Sequence, residues 1–191
     1  MVVLHEASGL LSPVSDVPEV CDRLGREGFD AVAPDLFDGA TATEVPAAIA
    51  LMKALSPERA MHGVDEAVGA LRSDGLSRVV VLGFCMGGGL AFRAALERPE
   101  LAGAVVFYGT PRGDLESLRV PVLGHFALDD RFVSLDDVRT AEARLRSAGT
   151  RFELHYYEAE HAFMNEKMPA YSAPCAAVAW QRTLAFLRGL T

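Results

Sequence analysis

The chain has 191 residues, of which 50% are hydrophobic and 23% charged, and its formal net charge is 18 − 26 = −8 at neutral pH. That size predicts one domain with enough apolar surface to offset chain entropy, which excludes disorder. The longest charge-free apolar stretch, residues 79–92, has 14 residues including four glycines, short of the ~18 a membrane span needs. An acidic surface repels phosphate backbones and argues against nucleic acid as a partner. The start, Met1-Val2-Val3-Leu4-His5-Glu6, has neither the basic region nor the long apolar run of a secretory signal. Cys21, Cys85 and Cys175 are an odd count at irregular spacing, with no disulfide framework or Cys-x-x-Cys knuckle. A reducing, cytoplasmic location is expected.

Val2-Val3-Leu4 reads as a first strand. Asp16, with Pro18 in the first turn and Glu19 three residues on, marks a helix start. Val17, Val20 and Leu24 line one face of that helix and Gly28 ends it. Residues 30–34 read as a second strand, followed by helices over 43–55 and 58–72. Val79-Val80-Val81-Leu82 is a buried-strand run leading into Gly83-Phe84-Cys85-Met86-Gly87-Gly88-Gly89 and an Ala/Leu-rich helix to Glu97. Residues 103–107 and 120–126 are two more strands. Ser134, with Asp137 three residues later, caps a helix with Leu135, Val138, Ala141 and Leu145 inward, closed by Gly149. A last strand spans 152–157, and Ala177, Trp180, Leu184 and Leu187 give the final helix a 3.6-residue stripe. Apolar strands alternating with helices predict an α/β fold. Six strands form a mostly parallel sheet with helices on both faces.

In an open α/β sheet, sites form outside the carboxyl ends of the strands. The polar residues just past those ends are Glu6, Cys85, Asp129 with Asp130 and Arg131, and Glu158 with Glu160 and His161. They supply a thiol, carboxylates and an imidazole on one rim. Gly83-Phe84-Cys85-Met86-Gly87 has the Gly-x-nucleophile-x-Gly form of a nucleophile elbow, with Cys in place of Ser. The flanking glycines leave room for a sharp strand-to-helix turn. The helix aims its N-terminus at the thiol, favouring thiolate, and the Met86 N–H is placed for an oxyanion. A Rossmann loop does not fit, since Gly83 and Gly87 are four apart, nor does a Walker loop, since no Lys-Ser/Thr follows. His161 follows the last strand in the order nucleophile, acid, histidine, and is the expected base. Asp130 is the expected orienter, with Asp129 the alternative. His5, His62, His125 and His155 lack that context and read as structural.

With these residues the chain resembles the dienelactone hydrolase family of α/β-hydrolases. The resemblance covers nearly the whole length. It rests on Leu4-His5-Glu6, Pro34-Asp35-Leu36, Gly83-Phe84-Cys85-Met86-Gly87-Gly88, Asp130-Arg131-Phe132-Val133, Tyr157-Glu158 leading to His161-Ala162-Phe163, and residues 180–187. It implies an α/β-hydrolase fold and a Cys85–His161–Asp130 triad. It also implies oxyanion donors at the backbone N–H groups of Met86 and Ala7, and no metal or organic cofactor. Glu6 would hold the resting thiol proton and release the thiolate when substrate binds. The implied activity is hydrolysis of a small ester or lactone through a thioester. A monomer or homodimer is expected.

Two departures matter. The family's founding enzymes clamp a substrate carboxylate with arginines, one just after the catalytic histidine. Here Met164-Asn165 stand there, and no arginine lies between Arg26 and Arg59. Phe37, Tyr108, Phe132 and Phe163 are therefore expected to line a more apolar pocket. The antiparallel strand pair that usually precedes the first parallel strand is also missing, which predicts a first strand near a sheet edge and open to pairing. Two other classes compete. A glutamine-amidotransferase or intracellular-protease type enzyme also has a Cys elbow, but its histidine follows sooner than the 161 − 85 = 76 residues seen here. A non-catalytic, redox-sensing domain on the same scaffold needs an exposed, low-pKa Cys85.

Overall fold

The apolar runs pair side by side in chain order. In a computed structural model that describes residues 1–190, β1 (Val2–Leu4), β2 (Val80–Phe84), β3 (Gly103–Phe107), β4 (Val122–Asp129) and β5 (Phe152–Glu160) form one sheet in the order β1-β2-β3-β4-β5. Every pair is parallel. Side chains alternate across the sheet, as the two-residue period of a strand requires. Val81 joins a cluster with α3 (Pro57–Ser73), α4 (Met86–Glu97) and α5 (Leu135–Ser147). Val80, Leu82 and Phe84 face α1 (Val17–Arg26) and α6 (Ala173–Gly189) on the other side. Burial on both faces explains why these strands are apolar runs rather than alternating ones.

The sheet has five strands among the described residues, not six. Residues 30–34 make one parallel bridge, Val2 to Val32. It is held by the Val3 N–H on the Val32 carbonyl (2.8 Å) and the Val32 N–H on the Met1 carbonyl (2.9 Å). Pro34 has no N–H to extend that ladder. The segment still covers the outer side of β1, so this strand is not the open edge expected of it.

That placement creates the site. The chain leaves β1 through α1 to the outer side, then returns through α2 (Val45–Ala54) and α3 to β2 on the inner side. Connections that depart in opposite directions from neighbouring strands open a crevice at their carboxyl ends. Glu6 and Cys85 stand at those two ends.

Two local expectations change. Asp16 is the residue before α1, but its side chain caps nothing and is buried. Ser134 does cap α5, accepting from the Asp137 N–H at 3.2 Å. The α6 stripe is Ala176, Ala179, Trp180, Thr183, Leu184 and Leu187, with Ala177 exposed. The helix is rotated because it must also pack His125, whose Nε2 lies 3.1 Å from the Thr183 hydroxyl.

Candidate active site

Cys85 sits between β2 and α4 with φ +53° and ψ −114°, a conformation that strains any residue with a Cβ. Backbone crowding maintains it. A Cβ on Gly83 would lie 2.0 Å from the Gly87 carbonyl oxygen, and one on Gly87 would lie 2.3 Å from that of Leu4. The two glycines let β2, the elbow and the end of β1 touch through backbone alone. Of the four non-glycine residues with positive φ among the described residues, Cys85, Tyr108 and Ala162 line the same cavity. Strain is concentrated where the chemistry-bearing groups converge.

His161 follows β5 with its side chain 11% exposed. Its Nδ1 lies 2.7 Å from Asp130 Oδ2, while Asp130 Oδ1 accepts the N–H groups of Phe132 (2.8 Å) and Val133 (2.9 Å). Asp129 ends β4 one residue earlier, registered against Glu160, and makes no such contact. Burial opposes charge on the imidazole, but Asp130 and the adjacent Cys85 outweigh it and raise the His161 pKa to about 10. Burial likewise opposes charge on Asp130. The His161 bond and the two N–H groups nonetheless hold its pKa below the usual carboxylate value. The rings of Tyr108 and Phe132 flank the imidazole, each with its centroid 4.9 Å away. His161 Nε2 is buried with no hydrogen-bond partner, and among the described residues the only other such side-chain atom is Ser8 Oγ. Cys85 adjoins the imidazole and is among the groups that raise its pKa. Both orphaned atoms belong to residues lining the cavity. Buried polar groups are nearly always satisfied, so two orphans on one cavity wall mark where a ligand's polar atoms fit.

Glu6 stands at the end of β1 but does not bond the sulfur. Its carboxylate accepts from Asn165 Nδ2 (3.1 Å) and the Tyr108 hydroxyl (3.4 Å). Burial raises its pKa against the opposing pull of those donors and of His161. Asn165 thus anchors the carboxyl group that the sequence places beside the thiol. Asn165 is one of the two residues standing where the family's arginine was sought. Asp16 is a second buried carboxylate, its pKa raised to about 7 first by desolvation and then by Glu6. His5 is structural as expected. Its Nε2 accepts the Leu36 N–H (3.1 Å), so Nδ1 donates to the Glu6 carbonyl (2.7 Å).

The cavity, about 640 Å³, is lined by Glu6, Ala7, Ser8, Cys85, Met86, Tyr108, Phe132 and His161 on its polar side and by α2 on its apolar side. Tyr108 and Phe132 line it as expected. Phe37 and Phe163 do not. Phe37 packs edge-on against His5, and Phe163 is fully buried against Tyr108 and Tyr157. Two cations that sequence reasoning missed also line it, Arg93 on α4 and Arg112 after β3. Arg93 is paired with Glu97 at 2.6 Å. Arg93 falls two turns beyond the elbow, a helical offset from Cys85 that was the available signal. Arg112 lies in an irregular loop and left none.

The dienelactone hydrolase family model matches residues 1–190. The chain belongs to the dienelactone hydrolase family. It is 36% identical over 201 residues to the Aquifex pyrophilus protein named usf, covering 98% of this chain and 87% of that one. It is 34% identical, with the same coverage, to an Aquifex aeolicus protein that carries the provisional name carboxymethylenebutenolidase. Among solved structures it matches a dienelactone-hydrolase-like promiscuous phosphotriesterase from metagenomic libraries, with a TM-score of 0.84 and 25% identity over 99% of this chain and 85% of that one. The fold is that of the α/β-hydrolases, shared with a metagenomic α/β hydrolase at a TM-score of 0.74 and 13% identity, over 99% of this chain and 83% of that one. This dienelactone hydrolase family member is a hydrolase. No described helix is long and apolar enough to cross a membrane.

Proposed function

We propose that this hydrolase cleaves small esters or lactones through a thioester on Cys85. One observation carries the reading. A thiol on a strained elbow adjoins a histidine whose far nitrogen is held by Asp130 at 2.7 Å.

The Cys85 thiolate attacks the carbonyl carbon, a C–S bond forms, and the carbonyl π pair moves onto oxygen. The N–H groups of Ala7 and Met86 receive that oxyanion. Met86 is the first residue of α4, so its N–H has no helical acceptor. A donor of this kind is typically worth ~3 kcal/mol. His161, protonated at Nε2, gives its proton to the leaving alkoxide as the C–O bond breaks. Neutral His161 then takes a proton from water, hydroxide attacks the thioester, and the thiolate departs with its electron pair. Asp130 keeps the other proton on Nδ1, which leaves Nε2 as the working nitrogen and stabilises the imidazolium. Glu6, anchored by Asn165 and Tyr108, adds a carboxyl group close enough to interact with His161.

Hydrolysis of short-chain aryl esters and simple lactones by wild type and Cys85→Ala tests the reading. Cys85→Ala is expected to lose at least about a thousandfold of the rate, and intact mass should show an acyl adduct on wild type under a slow ester. Unchanged turnover in Cys85→Ala overturns the mechanism.

A further inference from the structure

Helix α2 is out of character for a surface helix. Its sequence, VPAAIALMKA, has one charged residue, Lys53, and none of its residues is buried. Val45 is 53% exposed, Ile49 36% and Met52 40%. These apolar side chains are not scattered. Val45, Ala48, Ile49, Met52 and Leu55 fall at i, i+3, i+4, i+7 and i+10, a single helical face. All five line the cavity that holds Cys85, and Leu90 of α4 lines it too. An apolar stripe left in water beside a nucleophile is a surface awaiting apolar cover.

The reaction geometry says which part of a substrate supplies that cover. The leaving oxygen must face His161, and the oxyanion must face the Ala7 and Met86 N–H groups. The acyl group makes neither of these contacts, and α2 is the apolar wall of the same cavity. Val45 to Met52 spans about 10 Å of helix, the length of an extended chain of about eight carbons.

We propose that the substrate's acyl group is an unbranched apolar chain of about eight carbons laid along α2, with Val45, Ile49 and Met52 selecting its length. This rests on the thioester hydrolase reading above. The polar cluster at Cys85 handles the reacting carbonyl, and the far part of the cavity handles hydrocarbon.

The test is kcat/KM for p-nitrophenyl acetate, butyrate, hexanoate and octanoate, all below their micellar concentrations, with wild type, Cys85→Ala, Ile49→Asp and Met52→Asn. A methylene fully buried is worth about fourfold, and one covered on a single side about twofold. Octanoate should therefore exceed acetate by at least about thirtyfold in wild type. In Ile49→Asp and Met52→Asn that ratio should fall at least about fivefold. Ester hydrolysis that needs Cys85 but is flat or falling with chain length overturns this proposal alone. A rising profile that neither α2 variant changes also overturns it, because the wall then lies elsewhere. If no ester is hydrolysed in a Cys85-dependent way, the thioester reading falls, and this proposal with it.

Discussion

Asp129 and Asp130 are adjacent acids at one strand end, yet only Asp130 reaches His161. The reason is local. Asp129 is still inside the β4 ladder, whereas Asp130 has turned out of it and is locked by the Phe132 and Val133 N–H groups. Asp130→Asn should lower kcat/KM at least about a hundredfold while leaving the fold intact. It should also move the pH profile. With Asp130 present the His161 pKa is raised to about 10, so the imidazolium is present at neutral pH and is lost as pH rises through that value. Rate measurements across pH 6 to 11 should show an alkaline limb near pH 10 in wild type and a lower one in Asp130→Asn. Ser8 offers a second check. Its buried, unpartnered hydroxyl predicts a roughly fivefold loss of kcat/KM in Ser8→Ala, with activity restored in Ser8→Thr. Cys85 and His161 were legible from the sequence because their chemistry is tied to strand ends. Neither Ser8 nor Asn165 was. A serine in a loop has many unremarkable uses, and the Asn165 contact spans 159 residues of chain.

The elbow shows how an element depends on missing atoms. Gly83, Gly87 and Gly88 allow α4 to begin against backbone, with a Cβ on Gly88 falling 2.6 Å from the Phe107 carbonyl oxygen. In Gly87→Ala the α4 N-terminus must shift off β1, and activity should fall at least about a hundredfold, with a lower unfolding midpoint. Ser134→Ala removes an ordinary cap far from the elbow and should cost about 1 kcal/mol by urea unfolding, with kcat/KM unchanged. Capping patterns alone did not separate real caps from lookalikes. Ser134 and Asp16 both precede helices and both have an acid three residues on, but Asp16 is drawn into the buried ground beside Glu6 instead. Residues 43–55 read as a helix from the sequence. That its apolar face overlooks a cavity rather than the core was not visible in the pattern, since both uses produce the same stripe.

At the scale of the whole molecule, two apolar layers sandwich the sheet, and the acidic groups at its carboxyl edge tie stability to pH. Asp16 is buried, and its pKa is raised to about 7 from 3.8. The sign follows from linkage. The folded state holds this proton more tightly than the unfolded chain, so the stability it contributes is full below about 4 and is lost as pH rises through about 7. Asp16→Asn removes that loss. Relative to wild type it should gain little at pH 4 and up to about 4 kcal/mol at pH 8, read by urea unfolding at both pH values. The fold class, the helix-flanked parallel sheet, the Cys elbow and the acid-then-histidine order were all readable from the sequence. Each is written in local pattern: apolar runs, glycine spacing, and polar residues just past strand ends. Tertiary structure alone decided the rest. It reduced residues 30–34 to one bridge, gave Glu6 to Asn165 and Tyr108, buried Phe37 and Phe163 in the core, and turned α2 toward the nucleophile. Those outcomes depend on which distant segments meet at the crevice between β1 and β2, and burial there, not local propensity, sets both the partners and the protonation states.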